Sequence, residues 1–335
     1  QQRLKEIVAA AKLADEAGLH VFGVGEHHRS DYAVSAHTVV LGAIAAVTRN
    51  IRLTSAVTIL SSADPVRVFE DFATLDLLSS GRAELMAGRG AFIESFPLFG
   101  FALDDYEALY NEKLELLLKL RQNERITWKG KFRPSLDGIE VSPRPACALV
   151  PIWIGAGGTP QSAVRAGRAG LPLNLANIGG EPARFEPFIE LYRQTGLAAG
   201  HAPGDLKVAI SGHLHVQKDS QRARDEFFPH YTHYMRHNLP QRDRGWAISR
   251  RDYEQLASPR GSLFVGSPQE IADKILYEHE LFGHQRFLAQ IDIGGLPYAK
   301  VAQVIELLAS DVLPMVKRAL DGQGNSGSGG TSHNR

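Results

Sequence analysis

The feature that most constrains the fold of this chain is a regular alternation of short apolar runs with longer amphipathic runs. Apolar runs such as "LHVFGVG" and "IRLTSAVTIL" have the length and the β-branched content of buried strands. The longer runs place apolar residues three and four positions apart, which predicts helices packed against a core. Strands that are apolar along their whole length are typical of parallel sheets covered on both faces. The alternation therefore predicts an α/β fold.

Residues that begin helices support this assignment. Asp64 and Thr159 each precede a proline, and Ser267 precedes both a proline and Glu270, which is the pattern of a capping box. Proline is favoured at the first helical position because the N–H group that it lacks would have no partner there. These residues predict helices that start at positions 65, 160 and 268.

The order of the predicted elements indicates a barrel. Seven strands are predicted, each followed by a helix, and the first predicted helix begins near Leu4. A (β/α)8 TIM barrel needs one more strand, which would precede the N-terminus of this sequence. The alternative is a doubly wound open sheet, but no Gly-x-Gly-x-x-Gly turn follows the first visible strand. We therefore predict one barrel domain over residues 1–320 with a lid-like insertion at about 228–261, and a disordered Gly/Ser-rich tail over 321–335.

Composition narrows the class of partner and the compartment. Lys and Arg together number 37, as do Asp and Glu, so neither a nucleic-acid partner nor a membrane surface is predicted. No apolar run reaches the roughly 18 residues that a membrane-spanning helix requires. The single cysteine, Cys147, allows no internal disulfide and suits a reducing compartment. A cytoplasmic location is expected.

Polar side chains follow the first visible strand, where burial alone would not require them. Glu26, His27 and His28 form either a metal site, an acid–base site, or a surface cluster in which Glu26 pairs with Arg29. In a barrel the chemistry lies at the carboxyl ends of the strands, which favours a functional role. No His-Glu-x-x-His spacing is present, so no metal site is predicted here.

Two histidines in the second half of the chain raise a further metal hypothesis. His213 and His215 are spaced to point to the same side of a predicted strand, as metal ligands do in some barrel hydrolases. The middle strands end in "LMAGRG", "WIGAGG" and "LNLAN", which supply no further histidine or lysine. A metal-dependent hydrolase is therefore the weakest functional hypothesis, and the role of the pair stays open.

An anion-binding element is the best-supported motif. The stretch "GAGGTPQS" puts three glycines directly before a helix start, where backbone N–H groups and the helix dipole favour an anion such as phosphate. Arg89, which follows Gly88 at the end of another strand, can pair with a phosphate through two hydrogen bonds. An ordinary strand-to-helix turn and a structural salt bridge remain the alternatives.

Three stretches in fixed order resemble one known family. "EHH", "TSAVTILSSADPVRVFEDFATLDLLSSGRAELMAGRG" and "FPLFG" resemble the bacterial luciferase-like, flavin-dependent monooxygenases, and the resemblance extends from Leu4 to about Leu320. It implies a (β/α)8 barrel that binds reduced FMN or, in some branches, the deazaflavin F420. It also implies that luciferase-like subunits pair through helices beside the early strands, so a homodimer is expected.

The resemblance also assigns roles to individual residues. His27 matches a histidine that assists proton transfer beside the flavin, a role suited to a pKa near neutrality, and Glu26 is expected to orient its neighbours. Ser55 and Ala56 match a site where the family often has a non-proline cis peptide under the flavin ring. The remaining predicted cofactor-binding residues match the phosphate site: Gly88, Arg89, Gly157, Gly158, Thr159 and Ser162.

The reaction that the resemblance implies is oxygenation. Reduced FMN would react with O2 to form an adduct at its C4a carbon, which then oxygenates a small organic substrate. Because the sequence carries no nicotinamide-binding fingerprint, a separate NAD(P)H–flavin reductase is expected to supply the reduced flavin. An F420-dependent dehydrogenase and a non-catalytic flavin-binding protein are the alternatives.

Overall fold

The computed structural model describes residues 1–90, 92–238 and 248–326, with side chains as far as residue 322. The helices are α1 (Gln2–Glu16), α2 (His37–Val47), α3 (Pro65–Leu78), α4 (Ser95–Phe99), α5 (Tyr106–Gln122), α6 (Pro160–Arg168), α7 (Glu186–Ala198), α8 (Ser220–Asn238), α9 (Arg250–Leu256), α10 (Pro268–Phe282), α11 (Tyr298–Leu307) and α12 (Leu313–Ser326). The strands are β1 (Val21–Val24), β2 (Arg52–Ser55), β3 (Thr58–Ile59), β4 (Ala83–Gly88), β5 (Arg125–Trp128), β6 (Leu136–Glu140), β7 (Ile152–Ala156), β8 (Leu173–Ala176), β9 (Val208–Val216), β10 (Phe264–Gly266) and β11 (Arg286–Gln290).

The chain forms two compact units. The first consists of Gln1–Asn174 and Gln194–Leu206, and the second of Leu175–Arg193 and the described residues from Lys207 onward. The prediction of a single domain over residues 1–320 stays a prediction, as does the strand proposed to precede the N-terminus.

The first unit contains a parallel sheet with the strand order β1-β2-β4-β7, and β3 lies beside the end of β4. Every residue of β4 is buried, as predicted for a strand covered on both faces. The polar segment between α5 and β7 forms the antiparallel hairpin β5–β6. The parallel order brings the carboxyl ends of these strands to one edge, where the predicted site residues follow.

The predicted helix starts in the first unit are confirmed in position. Asp64 caps α3 by accepting a hydrogen bond from the Val66 N–H group at 2.8 Å, and α6 starts at Pro160. Gly81, just beyond α3, has a φ of +84°, a conformation that glycine adopts without steric strain. The helix start predicted in the second unit is also confirmed, because Ser267 and Glu270 form the predicted capping box of α10.

The second unit is built on β9, which pairs in parallel with β10 and with β11. Leu214 and Val216 of β9 pack with Phe264 and with apolar residues of α10 and α11. Of the predicted lid-like insertion at 228–261, the described part comprises the end of α8 and the whole of α9. Residues 239–247 lie outside the described residues.

The C-terminal prediction needs a correction. Helix α12 continues to Ser326, so residues 321–326 are helical rather than part of a disordered tail. Once a helix is established, each further residue adds one hydrogen bond, which lets a helix extend into a polar segment. Residues 327–335 lie outside the described residues. Over the described chain, no helix has both the length and the apolar character needed to cross a membrane.

Candidate active site

Glu26 is a buried carboxylate at the end of β1, with 8% of its surface exposed. Its Oε1 accepts a hydrogen bond from His28 Nε2, and its Oε2 accepts one from the Ile59 N–H group, both at 2.8 Å. His37 Nδ1 lies 3.4 Å from Oε2. Both carboxylate oxygens are therefore occupied, and Glu26 fixes the positions of neighbouring groups instead of facing solvent.

His37 also lies beside the Glu26 carboxylate, although no motif in the sequence indicates it. Its Nε2 lies 2.8 Å from Thr58 Oγ1 in β3, and burial lowers the pKa of its ring, an effect that the nearby Glu26 opposes. It is the first residue of α2, a position with no motif around it. Glu26 and His37 together hold β3 at the edge of the sheet. We refer to these two residues, with His28, as the Glu26 centre.

His27 lies against aromatic rings. Its ring stacks on Tyr32 with centroids 3.9 Å apart and contacts Phe92 at 5.5 Å. Arg29, which lies over Phe92 at 4.5 Å, forms two hydrogen bonds with Asp31. Burial, with a smaller contribution from Arg29, lowers the pKa of His27 to about 4. The expectation of a pKa near neutrality is therefore wrong, because a ring packed between aromatic side chains loses the water that would stabilise its charged form.

The cis peptide bond of this region joins Ala56 and Val57, one bond later than the Ser55–Ala56 pair singled out from the sequence. The Ser55 hydroxyl is fully buried and bonds both the carbonyl and the N–H group of Met86 at 3.1 Å, which ties β2 to β4. Ala56 is exposed although its preceding residues are buried. The surface of the site is therefore formed by Ala56 and Val57.

Glycines on neighbouring strands make room for this pair. A methyl group added at Gly88 or Gly155 would come within 2.6 or 2.7 Å of a Val57 methyl carbon. A methyl group at Gly23 would lie 3.0 Å from the Ala56 Cβ atom. Gly88 thus contributes space for Val57. The result is a surface with few side chains, made of Ala56, Val57 and the three glycines Gly23, Gly88 and Gly155, which we call the glycine cradle.

Arg89 belongs to a second cluster of polar side chains, which includes Thr159 and Ser162. Its Nη2 donates hydrogen bonds to Thr159 Oγ1 at 3.2 Å and to Ser162 Oγ at 3.3 Å, and the two hydroxyl oxygens lie 2.9 Å apart. Its Nη1 forms an ion pair with Glu107. The structure therefore brings together three residues that the sequence predicted to share a phosphate site, although they lie up to 73 positions apart.

The loop before α6 contains two adjacent glycines, Gly157 and Gly158. Gly158 has a φ of +95°, which favours glycine, and a methyl group at the exposed Gly157 would meet no atom within 4 Å. Thr159 is the N-cap residue of α6, but its hydroxyl makes no capping bond. It contacts Arg89 and Ser162 instead, so the capping hydrogen bond expected from the sequence is replaced by a link between strand and helix.

Two charged residues that the sequence did not indicate adjoin this cluster. Arg165 Nη2 binds Glu107 Oε2 at 2.6 Å, and Arg165 Nε binds Asn111 Oδ1 at 2.7 Å. Glu107 therefore bridges two guanidinium groups, because its other oxygen pairs with Arg89. Neither residue belongs to a recognisable motif, and only the packing of α5 beside α6 reveals them. We refer to Arg89, Arg165, Glu107, Thr159 and Ser162 as the Arg89 centre.

The two histidines of β9 pack among aromatic rings of the second unit. The buried His213 contacts Tyr231 and Tyr234 edge-on, at 5.7 and 4.9 Å, and burial lowers its pKa to about 4. His215 stacks on Phe227 at 5.2 Å. Across the described ranges, no group of three or more His, Cys, Asp or Glu side chains is arranged to hold a metal ion.

Comparison with known proteins places this chain in a family. The profile of the family described as luciferase-like monooxygenase matches residues 1–285. The alkanal monooxygenase alpha chain of Photorhabdus laumondii is 24% identical over 94% of this chain and 92% of its own length. The oxygenase component of a flavin-dependent trigonelline monooxygenase from Acinetobacter baylyi is 22% identical over 94% of this chain and 90% of its own.

Several solved structures have the same fold as this chain. A monooxygenase of Streptomyces bottropensis has a TM-score of 0.80 and 26% identity, with 93% of both chains covered. The FMN complex of the oxygenating constituent of 3,6-diketocamphane monooxygenase from Pseudomonas putida has a TM-score of 0.78 and 19% identity, covering 94% of this chain and 93% of the other. The F420-dependent tetrahydromethanopterin reductase of Methanopyrus kandleri has a TM-score of 0.72 and 19% identity, covering 93% and 95%.

The fold belongs to the α/β class of the (β/α)8 barrels, as predicted from the alternation of strands and helices. The family profile covers most of the sequence, and the chain belongs to the luciferase-like monooxygenase family. The family resemblance stated from the sequence is thereby confirmed.

Proposed function

We propose that this chain is a monooxygenase that uses reduced FMN and O2 to oxygenate a small organic substrate. The observation that carries this proposal is the convergence of Arg89, Thr159 and Ser162 next to the glycine cradle. Gly88, which makes room for Val57 in the cradle, directly precedes Arg89 in the chain. A flat ring and a phosphate on one short molecule fit this arrangement.

The Arg89 centre would hold the phosphate. Arg89 presents a guanidinium that suits bidentate pairing with a phosphate, and the hydroxyls of Thr159 and Ser162 lie within hydrogen-bond distance of it. The N-terminus of α6, which starts directly after Thr159, adds backbone N–H groups and positive potential. Gly157 and Gly158 leave the approach to these groups free of side chains.

The glycine cradle would support the ring, and His27 would act beside it. Bound reduced FMN would supply the two electrons by which one oxygen atom of O2 enters the substrate and the other leaves as water. His27 is neutral at pH 7, so we assign it the role of proton acceptor. Tyr32 and Phe92 exclude water from its ring, and Glu26 acts as a positioning residue for the end of β1.

Three further assignments belong to this proposal. A separate NAD(P)H–flavin reductase would supply reduced FMN, which is supported by the relative that is itself an oxygenase component. A homodimer is supported by exposed apolar side chains on α2 and α3, namely Val39, Val47, Leu77 and Leu78, which a second copy would cover. A cytoplasmic location is supported by the single cysteine.

A dehydrogenase that uses F420 is the second candidate, because two F420-dependent enzymes are among the solved structures of this fold. The two candidates differ in their dependence on O2. A dehydrogenase would prefer the deazaflavin and would turn over equally well without oxygen, whereas the monooxygenase requires O2 as a substrate.

The experiment that tests the proposal supplies FMN, NADH and a separate flavin reductase to the protein under 18O2. Candidate substrates are aldehydes, thioethers and nitrogen heterocycles. The proposal predicts a product that contains 18O and whose formation requires the reductase. Turnover with NADH, FMN and this chain alone would contradict the assignment of a separate reductase. Substrate oxidation with F420 in the absence of O2 would contradict the monooxygenase.

A further inference from the structure

Two guanidinium groups share one carboxylate in the Arg89 centre. Glu107 pairs with Arg89 through one oxygen and with Arg165 through the other. Arg165 also donates a hydrogen bond to the amide oxygen of Asn111. Among the described residues no second carboxylate lies within ion-pair distance of either arginine, so the cluster carries one uncompensated positive charge.

The three side chains differ in exposure. Glu107 is 51% exposed, whereas Arg89 and Arg165 are 18% and 15% exposed. Each arginine also lies over an aromatic ring, with Arg89 5.1 Å from the Tyr106 ring centre and Arg165 5.0 Å from that of Tyr110. The arginines are therefore fixed by their surroundings, and the carboxylate is the member of the cluster that can move into water.

We propose that Glu107 is an exchangeable counter-ion that determines how strongly this site selects a phosphate-bearing flavin. Without ligand, Glu107 holds the Arg89 guanidinium beside the hydroxyls of Thr159 and Ser162. The phosphate of FMN displaces the carboxylate from Arg89, and Arg165 retains it through the exchange. This inference rests on the proposed function, because it assumes that the Arg89 centre binds the FMN phosphate.

The position of Glu107 favours such an exchange. It lies in the first turn of α5, where a negative charge is stabilised by the helix dipole whether or not Arg89 is its partner. Glu107 is itself half-exposed, and a carboxylate in contact with water gains little from an ion pair. A charge-assisted bond from Arg89 to phosphate can therefore offset the loss of its pair with Glu107. Arg165 acts on the ligand only through Glu107, which makes it a positioning residue.

The test measures the affinities of FMN and riboflavin, which differ by the phosphate, for the whole protein and its variants. Glu107→Gln removes the competing charge, so FMN should bind roughly two- to tenfold more tightly while riboflavin affinity is unchanged. Arg165→Gln leaves Glu107 entirely on Arg89, so FMN should bind more weakly by a similar factor. In the Glu107→Gln background the Arg165→Gln change should have almost no effect.

Two controls make the result specific. Glu115→Gln makes the same charge change on α5, where Glu115 pairs only with the exposed Lys119 among the described residues, and it should leave both affinities unaltered. The effect of Glu107→Gln should also shrink as salt is raised, because exposed charges are screened. Riboflavin binding reports in each variant whether the ring site is intact.

The outcomes separate this inference from the proposed function. Weaker FMN binding by Glu107→Gln would mean that the carboxylate only pre-orients Arg89, and would overturn the inference. A full effect of Arg165→Gln in the Glu107→Gln background would mean that Arg165 contacts the phosphate directly, and would also overturn it. If the unmodified protein bound FMN and riboflavin equally, the phosphate site itself, and with it the proposed function, would be wrong.

Discussion

Two carboxylates of the candidate site, Glu26 and Glu107, differ in exposure and in the groups that surround them. Glu26 is 8% exposed and its oxygens are bound by a histidine and a backbone N–H group, with a second histidine 3.4 Å away. Glu107 is 51% exposed and lies between two arginines. A histidine ring and a backbone N–H group donate to the first, whereas permanent cations surround the second.

The difference indicates that the two carboxylates have different roles in the site. Removing a buried carboxylate leaves its donors without partners, and each such donor destabilises the fold. Removing an exposed one leaves groups that water can solvate. The Glu26 centre is therefore suited to hold the cradle rigid beneath a ring, and the Arg89 centre is suited to exchange one anion for another.

The largest expected effect is on stability. Glu26→Ala leaves the His28 Nε2–H and the Ile59 N–H groups unpaired, and should lower the free energy of unfolding by about 2–4 kcal/mol in urea titrations. The matched variant Glu107→Ala should lower it by less than about 1 kcal/mol. Equal losses for the two variants would contradict the contrast between the centres.

The next largest effect is expected from a substitution in the glycine cradle. Gly155→Ala places a methyl group within 2.7 Å of Val57, and overpacking of this kind lowers stability by about 1–3 kcal/mol. The variant should also weaken riboflavin binding, because the displaced Val57 disturbs the ring surface. Gly157→Ala, where the methyl group meets open space, serves as the control and should leave the melting temperature within about 2 °C of the unmodified protein.

A smaller effect on the free energy of unfolding is expected from lowering the pH. The pKa of His27 is about 4 in the folded chain and about 6.5 in an unfolded one, so the unfolded state binds more protons between these values. The free energy of unfolding should therefore fall as pH is lowered from about 6.5 to about 4, and His27 contributes to this fall. His27→Asn should make the unfolding curve flatter over this window. An unchanged slope would show that His27 is not buried as a neutral ring.

Much of the fold followed from the sequence because local patterns determine it. The strand and helix alternation, the capping box at Ser267 and the start of α6 at Pro160 depend on neighbouring residues. The convergence of Arg89 with Thr159 was also predictable, because a strand end and a helix start meet at the same edge of a parallel sheet.

The remaining features depend on contacts that leave no local pattern. His37 lies 11 positions after Glu26, and Arg165 lies 58 after Glu107; only packing brings each pair together. The lowered pKa of His27 arises from burial against Tyr32 and Phe92, which the letters of the motif do not reveal. The cis bond at Ala56–Val57 lies in the link between β2 and β3, and no residue pattern in the sequence distinguishes it from the preceding bond.

Whether Arg89 forms a phosphate site can be measured by anaerobic calorimetry of reduced FMN and reduced riboflavin binding to the unmodified protein and to Arg89→Ala. We expect that the unmodified protein prefers FMN and that Arg89→Ala weakens FMN binding by about tenfold or more while riboflavin binding is unchanged. Arg125→Ala, on the exposed β5–β6 hairpin, should change neither affinity. Equal affinities of the unmodified protein for the two flavins, or an equal loss of both in Arg89→Ala, would contradict a phosphate site at Arg89.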